Sequence, residues 1–240
     1  MRILITNDDS IHAPGIKLVA EAAARLAEVT VVAPASECSA MSQKLTLREP
    51  MELRQVTDFP VEVRGAYALT GTPVDCVKVA LSFVLEEKPD WVLSGINNGY
   101  NAGYDIGYSG TLGAAFEAAR AGIPAMAFSI AAASHLESAR EEIDRILRQL
   151  LETPPAPGAV WNVNFPPMRS RPLQGVLRDC TPAQTSLYTE RYVPVREDDG
   201  TVLLECRGTP VPDSAFPEGT DAWAVKNGYI SIGQVRSAPQ

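Results

Sequence analysis

Short apolar runs alternate with stretches of helical periodicity over the first two-thirds of the chain, and this alternation limits the fold more than any other feature. Arg2–Thr6 reads as a strand. Gly15–Ala27 carries Ile16, Val19, Ala20, Ala23 and Leu26 at helical spacing, with Pro14 just ahead, where proline suits a helix start. Val29–Ala33 and Ala66–Leu69 read as strands, and Gly71-Thr72-Pro73 opens a helix through about Leu85. Asp90–Leu93, Ala125–Ser129 and Trp161–Phe165 are further strands, with helices over Thr111–Ala121 and Leu136–Leu151. Leu45–Leu53 and Val61–Val63 are weaker strand candidates. A βαβα order of this kind predicts a parallel, helix-covered sheet with right-handed crossovers.

The character changes after residue 168, which sets a core over 1–168 and a C-terminal extension over 169–240. Within the extension, β-prone segments at about 186–207 flank Glu197-Asp198-Asp199-Gly200, and Asp-Gly between such runs signals a hairpin. Leu187, Tyr188, Tyr192 and Val193 place large side chains on an arm with little core of its own. Such an arm packs on another subunit or folds back on its own domain. The end of the chain returns as a strand at about 228–233.

Charge and composition exclude several functions. With 21 basic and 29 acidic residues the net charge is −8, a sign that repels nucleic-acid polymers. It leaves room for a small phosphate ester held by local donors and a cation. Apolar residues make up 45% of the 240, the mark of a globular chain. No apolar run approaches a membrane span, and the N-terminus lacks the features of a secretion signal, so a cytoplasmic location is expected. Cys38, Cys76, Cys180 and Cys206 are widely spaced and form no C-x-x-C pair, which reads as reduced thiols.

Chemistry is concentrated at strand ends. Asn7-Asp8-Asp9-Ser10 follows the apolar run Ile3-Leu4-Ile5. Two adjacent carboxylates behind a buried strand repel one another unless a cation or donors compensate, and strand carboxyl ends are where α/β sheets bind ligands. One Asp alone would read as a helix cap; the pair reads as a metal site. Ser94–Gly110 reads as a loop rich in Gly and Asn on the same sheet edge, where Asn supplies a neutral oxygen for a hard cation and N–H donors for an anion. Tyr108–Ala115 opens an Ala-rich helix with Ser109, Gly110 and Thr111, a start suited to phosphate. Ser39 lies in the loop after the second strand, and His12 either reaches the site or caps or coats the surface. There is no P-loop, no G-x-G-x-x-G after the first strand and no G-x-S-x-G elbow.

Taken in order, N-D-D-x-x-x-A-P-G-I at Asn7–Ile16, A-P-x-x-x-x-S-A at Ala33–Ala40, G-T-P-x-D-C-V at Gly71–Val77, S-G-I-N-x-G-x-N-x-G at Ser94–Gly103 and Y-S-G-T-x-G-A-A at Tyr108–Ala115 resemble the survival protein SurE family. Asn162-Val163-Asn164-Phe165-Pro166, Gly219-Thr220-Asp221 and Gly228-Tyr229-Ile230-Ser231 extend the match nearly end to end. The resemblance implies a Rossmann-like, mostly parallel α/β fold with helices on both faces. It implies a metal-dependent nucleotidase acting on nucleoside 5′- and 3′-monophosphates, with polyphosphate trimmed by some members. By motif, Asp8, Asp9, Ser39 and Asn97 match ligands to one divalent ion per subunit, Mg²⁺ or Mn²⁺, with Asp8 and Asp9 catalytic. Asn101, Ser109, Gly110 and Thr111 match the phosphate-binding region. The resemblance also implies a homodimer or homotetramer built by exchange of C-terminal segments.

The glycine usual after the paired aspartates is Ser10 here, and the expectation is that this position lies in an ordinary backbone region. Two rivals compete. A receiver-type domain needs a phosphoaccepting Asp and a well-placed lysine where this chain has Ser94 and Asn97. A non-catalytic nucleotide-binding module leaves the paired carboxylates unexplained.

Overall fold

Burial of the first strand sets the frame. Leu4 and Ile5 are fully inaccessible, so this strand is covered on both faces and reads as an unbroken apolar run. The protein, represented by a computed structural model, is described over residues 1–168 and 172–237. In chain order its first half comprises β1 (Arg2–Thr6), α1 (Pro14–Ala24), β2 (Glu28–Pro34), β3 (Leu53–Gln55), β4 (Gly65–Leu69), α2 (Pro73–Val79) and β5 (Trp91–Asn98). Next come α3 (Gly110–Arg120), β6 (Ala125–Ile130), α4 (Leu136–Leu151) and β7 (Val160–Phe165). The remainder holds β8 (Gly175–Leu177), β9 (Tyr188–Asp198), β10 (Thr201–Pro210), α5 (Asp221–Lys226) and β11 (Tyr229–Val235).

One nine-stranded sheet runs in the order β3-β4-β2-β1-β5-β6-β7-β11-β8. Strands β4, β2, β1, β5, β6 and β7 are mutually parallel. β3 and β11 run antiparallel to β4 and β7. Helices α1 and α4 pack together on one face and α2 and α3 on the other. Two apolar clusters follow, one around Ile16, Val19, Phe128 and Ile143, the other around Leu4, Val77, Leu112 and Val92. On α4 the buried residues Leu136, Ala139, Ile143, Ile146, Leu147 and Leu150 recur at helical spacing. A fold of mostly parallel strands with helices on both faces is thus observed.

Topology places the site. The chain leaves β1 for β2 and β4 on one side, then returns to lay β5 on the other side of β1. Between β1 and β5 the strand order reverses, and such a crevice at the strand carboxyl ends is where open α/β sheets bind ligands. Thr6 pairs in register with Ser94, so the acidic pair after β1 and the Asn-rich segment of β5 emerge side by side.

Several expected elements differ. Ser94–Gly110 is not one loop: β5 continues through Asn98 because Asn97 and Asn98 pair with Ser129 and Ile130 of β6, across a register shift after Ser94. Tertiary pairing there overrides a turn-like composition. Val61–Val63 is not a strand, and of Leu45–Leu53 only the end enters β3. The helix from Pro73 turns π-helical at Ala80–Val84. The hairpin spans β9 and β10, and among the described residues its strands pair only with each other. β11 sits in this chain's own sheet between β7 and β8, with α5 packed against it.

The α1–β5 contact is backbone to backbone. A Cβ on Gly15 would lie 2.0 Å from the Ile96 carbonyl oxygen, so only glycine admits this approach. Gly15→Ala is expected to lower stability by about 1–3 kcal/mol. Thermal melting reads this; an unchanged midpoint would mean that helix and strand are less tightly apposed than described.

Candidate active site at the sheet crevice

Asp8 and Asp9 leave β1 toward opposite flanks. Asp8 is buried and turns to the start of α3: Thr111 N–H donates to its Oδ2 at 3.1 Å and Thr111 Oγ1 donates to its Oδ1 at 2.6 Å. Gly110 makes this approach possible, since a Cβ there would stand 3.0 Å from both Cβ and Oδ2 of Asp8. Asp9 is half-buried and accepts from Asn98 N–H on β5 at 2.9 Å. Asn98 Oδ1 in turn accepts from Ala133 N–H at 2.8 Å, which ties Asp9 to the segment before α4.

The turn that delivers the pair is strained. Ser10 has φ 85°, in the left-handed region, which corrects the expectation of an ordinary backbone there. The Asn7 side chain holds the turn by donating to the Ser10 carbonyl at 2.7 Å. A non-glycine residue at such an angle costs about 1–2 kcal/mol.

The loop after β2 closes the crevice. Cys38 N–H donates to the Asp8 carbonyl at 2.8 Å, which ties this loop to the backbone of the acidic pair. Ser39 Oγ donates to Glu37 Oε1 at 2.6 Å. Farther along, Ser42 bonds to the Tyr108 and Gly107 carbonyls, which pins the loop to the entry of α3. Ser109 caps α3, its hydroxyl accepting from Leu112 N–H at 3.1 Å and keeping its own proton to donate. Both hydrogen bonds of Thr111 go to Asp8. His12 is exposed.

Asn101 is buried and held from all sides. Its carbonyl accepts from Asn162 and Asn164 Nδ2, its N–H donates to Asn164 Oδ1 at 2.9 Å, and its own Nδ2 donates to Ser129 Oγ at 2.8 Å. Two residues on, Gly103 N–H reaches the Asp221 carboxylate, which also accepts from Ala183 N–H. Asp221 thus joins the site loop to the segment leading into the hairpin. Burial raises its proton affinity, opposed by these N–H groups. The motif at Gly71–Val77 is scaffold: Thr72 and Asp75 form a capping box on α2, and Asp75 also anchors Thr46.

Among the described residues, neither Asp8 nor Asp9 is paired with a cation. Burial pushes the Asp8 carboxyl up to about 6 from its ordinary 3.8, the neighbouring Asp9 charge adds to this, and the Thr111 hydrogen bonds oppose it. Burial also raises Asp9, reinforced by Glu37 and opposed by Asn98. Asn7 Oδ1 and Ser94 Oγ are buried without a hydrogen-bond partner among the described residues. Asn97 turns its Nδ2 to the Gly99 carbonyl at 2.9 Å, and its Oδ1 accepts no hydrogen bond among the described residues. No cluster of three or more His, Cys, Asp or Glu suited to a metal occurs among the described residues. Two carboxylates, a hydroxyl and an amide oxygen are instead the hard donors that Mg²⁺ and Mn²⁺ take. The donor chemistry and the uncompensated charge both fit a divalent cation.

Sequence reasoning missed Glu37, Asn98 and Ser129. Asn162 and Asn164 appeared only as motif letters, yet polar residues two apart on a buried strand were a usable signal, because they share one face.

The family model described as "Survival protein SurE" matches residues 3–190. A protein of Thermus thermophilus named 5′-nucleotidase SurE 1 is 40% identical over 239 residues, covering 98% of this chain and 91% of its own. The 5′-nucleotidase SurE of Haemophilus influenzae is 37% identical over 241 residues, covering 99% and 92%. The crystal structure of the SurE protein from Aquifex aeolicus superposes with a TM-score of 0.82 at 33% identity, covering all of this chain and 95% of that one.

The Asp8 shift has a definite pH sign. Between 3.8 and about 6 the native chain retains a proton that the unfolded chain has lost, so stability falls as pH rises through about 6, by roughly 3 kcal/mol in total. Asp8→Asn carries no charge and still accepts from Thr111. It is expected to raise the melting temperature of metal-free protein near pH 8 (~2 pH units above that midpoint), with the gain shrinking as pH drops below about 6. Equal stability of variant and wild type at the higher pH would contradict the burial argument.

Proposed function

This chain belongs to the SurE family, and from that membership and the geometry at Asp8 and Asp9 we propose that it is a divalent-metal-dependent nucleotidase. It hydrolyses nucleoside 5′- and 3′-monophosphates to nucleoside and phosphate, and short polyphosphate is a further substrate. The observation that carries the reading is the buried Asp8 carboxylate, gripped by Thr111 at the start of α3 and paired with no cation among the described residues. Asp8, Asp9, Ser39 and Asn97 hold one Mg²⁺ or Mn²⁺ per subunit. When bound, the ion supplies Lewis acidity and neutralises charge that develops on the phosphate.

The chain's own groups do the rest. Thr111 fixes the Asp8 carboxylate in one orientation. The Ser109 hydroxyl and the Gly110 N–H, at the positive end of α3, face the anionic side of the substrate, whereas Thr111, whose N–H and hydroxyl both go to Asp8, contributes by holding that carboxylate. Asn101 has an Nδ2 hydrogen beyond the one given to Ser129, and its locked backbone keeps that donor in place. Asp9, half-buried and so reachable by water, is the protein group assigned to take the water proton.

Phosphate release from 5′-AMP and 3′-AMP, measured in EDTA and again with Mn²⁺ or Mg²⁺ added back, tests the reading. Release restored by metal is expected. Asp9→Asn is expected to reduce it by about 100-fold or more, and a wild-type rate in that variant would remove Asp9 from the mechanism. No release from either nucleotide with any divalent metal would favour a binding module.

The hairpin is the proposed oligomerisation element, within a C-terminal extension that begins at about residue 169. Tyr188, Tyr192, Leu203 and Leu204 are all exposed, Tyr192 by 70%, and a lone two-stranded hairpin is marginal in water. Exchange of this arm between copies, giving a dimer or tetramer, would cover it. No helix among the described residues is long and apolar enough to cross a membrane, and a cytoplasmic location accords with the exposed Cys206 thiol. Replacing 188–210 by a short Gly-Ser linker is expected to convert the oligomer to a monomer by light scattering. An unchanged mass would place the interface elsewhere.

A further inference from the structure

We propose that the pocket beside Asp9 seats the nucleoside part of the substrate, and that Glu37 recognises its sugar hydroxyls. This rests on the nucleotidase reading and adds to it the location of the neutral half of the substrate.

The two flanks of the acidic pair differ in chemistry. On the Asp8 flank stand the N-terminus of α3 and the Ser109 hydroxyl, which suit an anion. On the Asp9 flank lies a pocket of about 250 Å³. Asp9 and Glu37 line it together with Asn98, and Pro14, Ile130 and Leu136 supply apolar wall. Two carboxylates repel a phosphate, so a substrate lying across the pair places its anionic end on α3 and its uncharged end here. Ligand sites for whole drug-sized molecules run to roughly 300–1,000 Å³. This smaller space suits a nucleoside fragment, with sugar at the polar rim and base against the apolar wall.

The pocket is preformed. Asn98 holds Asp9 through its N–H and the Ala133 wall through its Oδ1. On the other side α1 is locked to β5 by the Gly15–Ile96 approach. Glu37 spends Oε1 on the Ser39 hydroxyl, while Oε2 has no hydrogen-bond partner among the described residues. An ionised carboxylate accepts and never donates, so it selects ligand groups that donate. Ribose hydroxyls are such groups, and an acidic side chain on a ribose hydroxyl is the arrangement dinucleotide folds use.

The test compares kcat/KM for AMP, 2′-deoxy-AMP and glycerol 2-phosphate in wild type, Ala133→Phe and Glu37→Gln. Phe at position 133 fills the pocket. Its loss on AMP is expected to exceed its loss on glycerol 2-phosphate by about 10-fold or more, the scale of one good contact removed. Glu37→Gln is expected to shrink the preference for AMP over 2′-deoxy-AMP by about 10-fold. Equal losses on AMP and glycerol 2-phosphate in Ala133→Phe would overturn the pocket assignment, and an unchanged ribose preference in Glu37→Gln would overturn the role of Glu37. Adenosine binding by calorimetry separates the pocket from the chemistry. Should the wild type release no phosphate from any ester, the nucleotidase reading fails; adenosine bound by wild type and lost in Ala133→Phe would still support the pocket, and no binding to wild type would overturn it too.

Discussion

Everything at this site follows from one buried carboxylate. Asp8 lies beyond the end of a fully covered strand, with two hydrogen bonds from Thr111 and no cation paired with it among the described residues. Desolvation outweighs those two bonds, which is why its proton affinity rises. A fold selected for stability alone would place a neutral side chain here. The surrounding structure instead maintains the charge: Gly110 removes a Cβ so that α3 can reach it, and Asn7 holds a strained serine turn so that Asp9 can follow it.

The scaffold around this charge is built from long-range polar ties. Asn98 links the acidic pair to the start of α4, and Asn162 and Asn164 of β7 clamp the Asn101 backbone. Asp221, from near the end of the chain, ties Gly103 to the segment before the hairpin. Strands from β1 to β7 therefore fix the site from beneath, and the C-terminal segment fixes it from the side. A change in how the hairpin packs has a direct covalent and hydrogen-bonded route to the Asn101 loop.

The core of this arrangement was legible from residue order. Apolar runs gave β1, β2 and β5, helical spacing gave α4 to the residue, and the acidic pair marked the crevice because adjacent carboxylates lack a folding rationale. Two things were not legible. Ser94–Gly110 has the composition of a loop, and only pairing with β6 shows that β5 carries Asn97 and Asn98 as strand residues. Glu37 and Asn98 acquire meaning through partners distant in sequence or through a shared pocket, and a single Glu or Asn has no spacing to betray that. Ser10 illustrates the same limit, since its backbone angle is imposed by the turn and not by serine.

The central claim is that the acidic pair is balanced by a divalent cation. Calorimetric titration of Mn²⁺ into metal-free protein tests it directly, with Asp8→Asn as the comparison. One ion bound per chain by wild type, and none by the variant under the same conditions, is the result the account predicts. Equal binding by both proteins, or no binding by either, would contradict it and leave the buried charge of Asp8 without an explanation.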